Sequence, residues 1–461
     1  MAQINLAHTM PALVHDLVGR GLVASITNHG LFRRLDTPIT LYCGIDPTAD
    51  APHIGNLLPM TCGLRFLTHG HSVISLIGGA TGAIGDPSGR STERNALDPD
   101  QLAHNVAGLT HQVHRFYTNA LGYAERRGYP LAATAAADKV QVVNNADWYA
   151  NMSLVDFLGD VGRHARVSTM LGRESVRARM ESEAGISFTE FAYQLLQAHD
   201  FYHLYSTKHC QLQIGGSDQW GNIVAGLDMI RKRHPPMGTD QDDPAFGLTL
   251  PLVTTASGEK FGKSAGNAVW MDEKKTSVFD FYQFFMRTQD ADVEQYLKYF
   301  TLMPLKEIDD LIMEHDKSPE HRLAQKTLAD EVTEMVHSES LLQKARVQTE
   351  LMYAQSRAAL HDLDVTTVLA AFENDPRLAR VELAEGMTIA ELCAKAGACA
   401  SKSEAVKLAK RGGLYLNQER VADALNQKVT SADLVGGRMC IVRTGKANYW
   451  IVEVAPGALA S

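Results

Sequence analysis

Five segments of this chain carry side chains whose types and spacing suit chemistry on a phosphorylated ligand. The first runs from Asp46 through Thr48, Asp50 and Pro52 to His53-Ile54-Gly55-Asn56, directly after an apolar run and into a helical pattern. Helix N-terminal amides favour anions, Gly55 permits close approach of a ligand, and His53 adds a donor for a phosphate oxygen. The second is Ser257-Gly258-Glu259-Lys260-Phe261-Gly262-Lys263-Ser264, which is not a P-loop, because only three residues separate Gly258 from Gly262 where that motif requires four. It reads instead as a Gly-flanked loop with two lysines, Lys260 and Lys263, able to close on a polyphosphate. The third, Gly78 to Arg90, is Gly-rich but lacks the G-x-G-x-x-G order, so it supports no dinucleotide fingerprint. It still brings Thr81 and Asp86 to a strand end, with Arg90 and Arg94 as phosphate partners. In the fourth, Ser187-Phe188-Thr189-Glu190 reads as a capping box, and the helix it opens places Tyr193, Gln197 and Asp200 at i, i+4 and i+7 on one stripe. Phe188, Phe191, Leu195 and Leu196 supply apolar flanks to that stripe, so a buried Tyr/Gln/Asp row requires a polar ligand with an ammonium or hydroxyl group. The fifth, Gly215-Gly216-Ser217-Asp218-Gln219, offers Asp218 to ribose hydroxyls.

These segments must be carried by a repeating framework. Apolar runs at Thr40–Ile45, Ser72–Ile77, Val140–Val143, Gln211–Ile214 and Leu248–Val253 alternate with helical spacing over Ile54–Leu67, Val106–Leu121 and Phe188–Leu204. The alternation predicts an α/β fold with a parallel sheet, whose ligands sit where strands end and helices begin. Leu131 to Lys139 and Arg231 to Asp243 read as surface insertions, and Pro59 should fix the entry of its helix or kink it. From Ser277 to Ser356 helix follows helix, with Thr301 and Pro304 separating two of them. Past Leu383 come two short helices (Thr388–Ala396, Ser401–Lys410), a Gly412-Gly413 stop, and strands at Leu414–Leu416, Arg438–Arg443 and Tyr449–Val454, a small α+β module.

Length and composition fit this division. The 461 residues predict about three domains, and 45% hydrophobic with 21% charged residues is a globular balance. The net charge of -9 means that a polyanion must meet a local basic patch. Residues 383–461 hold ten Lys plus Arg against seven Asp plus Glu, and this reversal marks the module for nucleic acid. Six cysteines show neither C-x-x-C nor zinc spacing, which predicts a reducing compartment and no metal site. No apolar run approaches a membrane span, and Met1 to Arg20 has neither a signal nor a transit pattern.

In order and at these spacings, the segments resemble the tyrosyl-tRNA synthetases of the bacterial and mitochondrial type, a class I aminoacyl-tRNA synthetase family. Pro52-His53-Ile54-Gly55-Asn56 is similar to its HIGH signature and Lys260-Phe261-Gly262-Lys263-Ser264 to its KMSKS signature. Tyr42 to Thr48, Gly78 to Gly89, the Tyr193/Gln197/Asp200 stripe and Gly215 to Asn222 match as well. The resemblance implies a Rossmann-like catalytic domain with a dimer-forming insertion (1–255), a KMSKS-type loop and linker (256–275), and a helical anticodon-binding domain (276–375). A module like the RNA-binding domain of the fourth small-subunit ribosomal protein would follow (383–461). It implies activation of L-tyrosine with ATP, Mg2+ accompanying the ATP and no tightly bound prosthetic group, then transfer to tRNA(Tyr) by a soluble intracellular homodimer of the mitochondrial matrix or bacterial cytoplasm. His53, Asn56, Lys260, Lys263 and Ser264 would act on the phosphates; Asp46, Thr48, Gly55, Asp218 and Val253 would join them in holding ATP. Tyr42 and Asp200 would bond the phenol hydroxyl, Asp86, Tyr193 and Gln197 the ammonium, and Thr81, Asn145, Gln213 and Gln219 would line the pocket. Arg90, Arg94, Lys407, Lys410 and Arg411 would touch tRNA. Asn56 departs from the signature's second His and cannot carry charge. Two rivals share features: a tryptophanyl-tRNA synthetase has both signatures, but its indole does not suit a paired Tyr42 and Asp200. A non-catalytic RNA-binding or intron-splicing protein should have lost His53 or the paired lysines.

Overall fold

The alternating apolar runs pair into one six-stranded sheet of order β1-β6-β5-β2-β3-β4, with β1 Ser25–Ile26, β2 Thr40–Ile45, β3 Ser72–Ile77, β4 Val140–Asn144, β5 Cys210–Gly216 and β6 Phe246–Leu250. The computed structural model describes residues 11–88, 97–129, 138–183, 185–235, 243–256, 258, 261, 263–264, 267–353, 360, 364–373, 375–445 and 448–455, with 263–267 given by backbone alone where described. Strands β2 to β6 are parallel, and β1 closes one edge antiparallel to β6. The chain builds outward from β2 to β3 and β4, then returns to the other side of β2 for β5. The carboxyl ends of β2 and β5 therefore flank the switch point where such sheets leave a crevice. β6 stops at Leu250 instead of Val253, because Pro251 has no N–H to continue the ladder. Leu252 and Val253 are thereby released into a loop.

The helix Leu57–Thr68 lies buried along most of its length and follows a tight turn, Ile54–Asn56, that carries the first signature. Pro59 is its third residue, where the missing N–H would have no intrahelical partner, so it sets the entry and produces no kink. Ser187 caps the helix Phe188–Lys208 by accepting from Glu190 N. The other half of the expected capping box is absent: the Glu190 carboxylate lies 2.8 Å from Arg179, with both side chains buried. A buried guanidinium outcompetes a single backbone amide for that carboxylate.

The contacts divide the chain into two units, Met1–Glu339 and Ser340–Ser461. The helices Val278–Met286, Asp290–Phe300, Leu305–His315 and Leu323–His337 belong to the first, and Thr301 to Pro304 form the break between the second and third of them. They are tied to the sheet portion by a polar node. Asp16 accepts from Arg20 Nε at 2.6 Å and from Arg65 Nη1 at 2.8 Å, and both guanidinium groups donate to the carbonyls of Lys298 and Thr301. Arg20 and Arg65 are almost fully buried, and burial together with the neighbouring Arg20 charge pulls the Arg65 pKa down to about 10. One carboxylate and a set of backbone carbonyls therefore hold two cations out of water.

The second unit contains a sheet of order β11-β10-β12-β13-β9, with β9 Leu378–Val381, β10 Leu414–Leu416, β11 Glu419–Arg420, β12 Met439–Thr444 and β13 Asn448–Val454; the hairpin strands β7 (Lys263–Ser264) and β8 (Asn267–Ala268) belong to the first unit. One face packs Cys440, Val442, Val452 and Val454 against the helices Ile389–Lys395 and Lys402–Lys410. The opposite face packs Ile441 and Ile451 against Leu351, Val365 and Phe372. Leu351, Leu360 and Val365 to Phe372 thus serve the C-terminal core and not the helical domain that their local pattern suggests, and β9 lies before the expected boundary at 383. Helical spacing reports which face is apolar, not which surface covers it. Gly412, at φ 73°, ends the helix Lys402–Lys410 in a conformation open to glycine.

Asp16→Asn should leave two buried guanidinium groups without a counter-charge and destabilise the first unit by about 3 to 5 kcal/mol. Glu314→Gln, at an exposed ion pair with Lys317, should cost less than about 1 kcal/mol. Denaturant unfolding of both variants reads the contrast, and equal small losses would remove the node from the account.

Candidate active site

A cavity of about 660 Å³ opens at the switch point, a size suited to a small-molecule ligand. The ends of β2 and β5, the turn after β3, the Phe188–Lys208 helix and the loop after β6 contribute to its wall. The parallel register sets Tyr42 beside Gln213, and both are buried. Of the expected residues, Tyr42, Asp46, Thr48, His53, Gly55, Asn56, Thr81, Asp86, Tyr193, Gln197, Asp200, Gln213, Asp218, Gln219 and Val253 all line it. Arg90, Arg94 and Lys260 lie outside the described residues; Lys263 and Ser264 are placed by backbone only, in β7. Lys407, Lys410 and Arg411 lie in the second unit, exposed at the end of the Lys402–Lys410 helix.

The deep end is organised by Asp200. Its carboxylate accepts from Asn145 Nδ2 at 3.0 Å and Trp148 Nε1 at 2.9 Å. Burial nevertheless raises its pKa to about 7, against the lowering effect of those donors. The Tyr42 phenol, stacked at a tilt 5.3 Å from Phe201, has its pKa raised by burial and then by the Asp200 charge, so it stays protonated. Its hydroxyl has no partner among the described residues, nor have the buried oxygens of Gln197 and Gln213. Three unpartnered polar atoms in one cavity mark positions that a ligand must satisfy.

Asn145 lies behind the wall instead of on it. It accepts from Ala80 N and donates to Thr81 as well as to Asp200, which cross-braces the turn after β3 to the deep carboxylate. Thr81 and Tyr193 both donate to Asp46, at 2.8 and 2.9 Å. Gln219 donates to Asp86 and accepts from Gln197. Trp148, which the sequence reading missed, comes from a four-residue helix, Ala146–Tyr149, with no periodicity to expose it.

At the mouth, His53 Nδ1 accepts from Gly55 N at 3.0 Å and Asn56 Oδ1 accepts from His53 N at 3.1 Å. Desolvation lowers the His53 pKa, so the ring is neutral at pH 7, and with Nδ1 occupied as an acceptor the proton sits on Nε2. Nε2–H is then a donor to an anion. A Cβ on Gly55 would stand 2.7 Å from the His53 ring, so this glycine makes room for the imidazole as well as for a ligand. Asn56 uses its oxygen on the backbone and keeps its amide hydrogens for the cavity.

The tRNA synthetases class I (W and Y) family matches residues 34–354, and the tyrosine–tRNA ligase SYY-like C-terminal domain matches residues 369–452. The tyrosine–tRNA ligase of Opitutus terrae is 43% identical over 444 residues, covering 96% of this chain and 99% of that protein. The mitochondrial tyrosine–tRNA ligase of Drosophila melanogaster is 42% identical over 417 residues, covering 90% of this chain and 87% of that protein. The crystal structure of a C-terminally truncated Aspergillus nidulans mitochondrial tyrosyl-tRNA synthetase superimposes with a TM-score of 0.66 at 34% identity, covering 73% of this chain and 93% of that one.

Asp200 holds its proton up to about pH 7 in the folded protein, whereas an unfolded aspartate releases it at about pH 4. Between these values the folded state binds more protons, so the contribution of this group to stability falls as pH rises. Asp200→Asn should therefore gain stability relative to wild type between about pH 4 and pH 7, by up to roughly 1.4 kcal/mol per pH unit, and the gap should level off above pH 7. Thermal midpoints of the two proteins across that range test this, and a gap independent of pH would contradict it.

Proposed function

The chain belongs to the tyrosine–tRNA ligases of the class I synthetase family, and from that premise we propose how its cavity works. The reaction joins the carboxylate of tyrosine to the α-phosphorus of ATP, breaks the bond to pyrophosphate, and then passes the tyrosyl group to the terminal adenosine of tRNA(Tyr) with loss of AMP. No enzyme-bound covalent intermediate is needed, so positioning and charge stabilisation carry the catalysis.

The observation that carries the assignment is the pairing of an unpartnered Tyr42 hydroxyl with the donor-held Asp200 carboxylate. Tyr42 donates and Asp200 accepts, so the group between them must do both. A phenol hydroxyl does; an indole N–H only donates, which disfavours tryptophan. Toward the mouth, the Gln197 oxygen, Asp86 and the Tyr193 hydroxyl receive the ammonium, and the small Thr81 and the polar Gln213 and Gln219 close the pocket. ATP enters as its magnesium complex. Its adenosine lies along Gly55, Val253 and Asp218, Asp46 and Thr48 hold the nucleotide beside the amino acid, and His53 and Asn56 donate to phosphate oxygens as charge shifts to the leaving pyrophosphate. Lys260, Lys263 and Ser264 complete the phosphate contacts from the loop.

A homodimer is supported by the insertion between β4 and β5. Its helix Leu154–Asp160 buries none of its own residues, and Leu154, Val155 and Leu158 on it are 50% to 78% exposed. Such a patch needs a partner surface. In the second unit Lys407, Lys410 and Arg411 form the basic end that meets tRNA, with Arg90 and Arg94 as further contacts. The relatives are bacterial and mitochondrial, so bacterial cytoplasm or mitochondrial matrix is the proposed location. Among the described residues no helix is long and apolar enough to cross a membrane.

A chain ended at Glu339, the last residue of the first unit, should exchange pyrophosphate into ATP with tyrosine at close to the full-length rate and not with tryptophan, while charging tRNA poorly. In the full chain, Lys407→Ala with Lys410→Ala should flatten the salt dependence of tRNA binding. Exchange driven by another amino acid would overturn the assignment, and full charging by the truncated chain would overturn the role of the second unit.

A further inference from the structure

The segment that follows the β7–β8 hairpin is bound to the first signature by main chain. Ile54 N donates to Val269 O at 3.0 Å and Met271 N donates to Pro52 O at 2.9 Å, so His53 and Trp270 face each other as bridge partners across 217 positions of sequence. The Trp270 ring centroid lies 6.1 Å from that of His53. The indole is itself held: Lys275 Nζ sits 5.0 Å from its centroid and 2.5 Å from Asp50 Oδ1, and Trp270 N donates to Thr276 Oγ1. Asp50 belongs to the same turn as His53, so the two segments are fastened both by backbone and by the Asp50–Lys275–Trp270 chain. Among the described residues the His53 ring has one hydrogen bond, accepted at Nδ1 from Gly55 N, which fixes Nδ1 but leaves the ring's tilt to the indole beside it. Ala268, the last residue of β8, is two residues from Trp270.

We propose that Trp270, held by Lys275 and Asp50, is a positioning residue for His53, and that it couples the placement of the lysine-bearing hairpin to the imidazole at the cavity mouth. The inference rests on the phosphate role of His53 proposed above. A cation over one part of the indole and an ion pair to the His53 turn restrict the indole, and the indole restricts the imidazole. Nε2–H then keeps a fixed direction toward a phosphate oxygen, a requirement that grows as charge develops in the transition state. Loss of this restraint should lower kcat more than it weakens substrate binding.

A double-mutant cycle in tyrosine-dependent pyrophosphate exchange tests it, with equilibrium tyrosine binding as the control on the pocket. Trp270→Leu should lower kcat about tenfold or more in the wild-type background and less than twofold in His53→Ala, with tyrosine affinity unchanged in both; Trp270→Phe should restore most of the rate. Lys275→Ala leaves the backbone bridge intact and should give a smaller loss with the same dependence on His53, which keeps the test open should Trp270→Leu fold poorly. Equal losses with and without His53 would overturn the coupling alone. Full exchange by His53→Ala would instead overturn the phosphate role beneath it, and the coupling with it.

Discussion

A carboxylate that water cannot reach has to be held by fixed donors, and the deep end of this cavity is built to meet that demand at Asp200. Two neutral N–H donors, from Asn145 and Trp148, hold it, yet they do not offset the loss of hydration, and its pKa stays near 7. The carboxylate is thus under-satisfied until a further donor arrives. Asn145 transmits the constraint outward: through Thr81 and Asp46 it reaches the Tyr193 hydroxyl, two turns up the Asp200 helix. One hydrogen-bond path therefore runs from Asp200 through Asn145, Thr81 and Asp46 to Tyr193, from the proposed phenol end to the proposed ammonium end. A ligand fitting one end finds the other at a set distance.

The mouth follows a different rule. Polyphosphate chemistry needs positive potential, but the described groups there are neutral or partial charges: a neutral His53, the Asn56 amide and the turn at Ile54–Asn56. Lys275, the cation next to this group, is already paired with Asp50, and the proposed source of unpaired positive charge is Lys260 and Lys263 of the loop from 257 to 266. In the proposed reaction, neutral donors on the fixed side would hold ATP and the loop lysines would add the charge that favours pyrophosphate departure. The buried Phe261, packed against Phe284, Tyr296 and Phe300, ties that loop to the helices following it.

Sequence legibility tracked the range of each interaction. β2 and β3 were readable to the residue because each is an apolar run bounded by turn residues, and the Tyr193/Gln197/Asp200 stripe was readable because helical periodicity is local. β9 was not, since Leu378–Val381 becomes a strand only by pairing in parallel with β13, more than seventy positions away. The Glu190 side chain was misplaced because its pairing with Arg179 depends on burial and not on spacing. Trp148 and the cross-bracing role of Asn145 were hidden for the same reason: both act through Asp200, and no motif spacing connects them to it.

The central claim is that Tyr42 and Asp200 together read one hydroxyl. Phenylalanine lacks that group and leaves both unpaired, at about 1 to 3 kcal/mol each and more for the carboxylate. The direct measurement is the ratio of pyrophosphate-exchange efficiencies for tyrosine and phenylalanine in wild type and in Tyr42→Phe. Removing the Tyr42 hydroxyl relieves one of the two penalties, so the ratio should fall by roughly five- to a hundredfold while tyrosine remains the preferred substrate. An unchanged ratio would contradict the account, because the unpartnered Tyr42 hydroxyl would then take no part in reading the ligand.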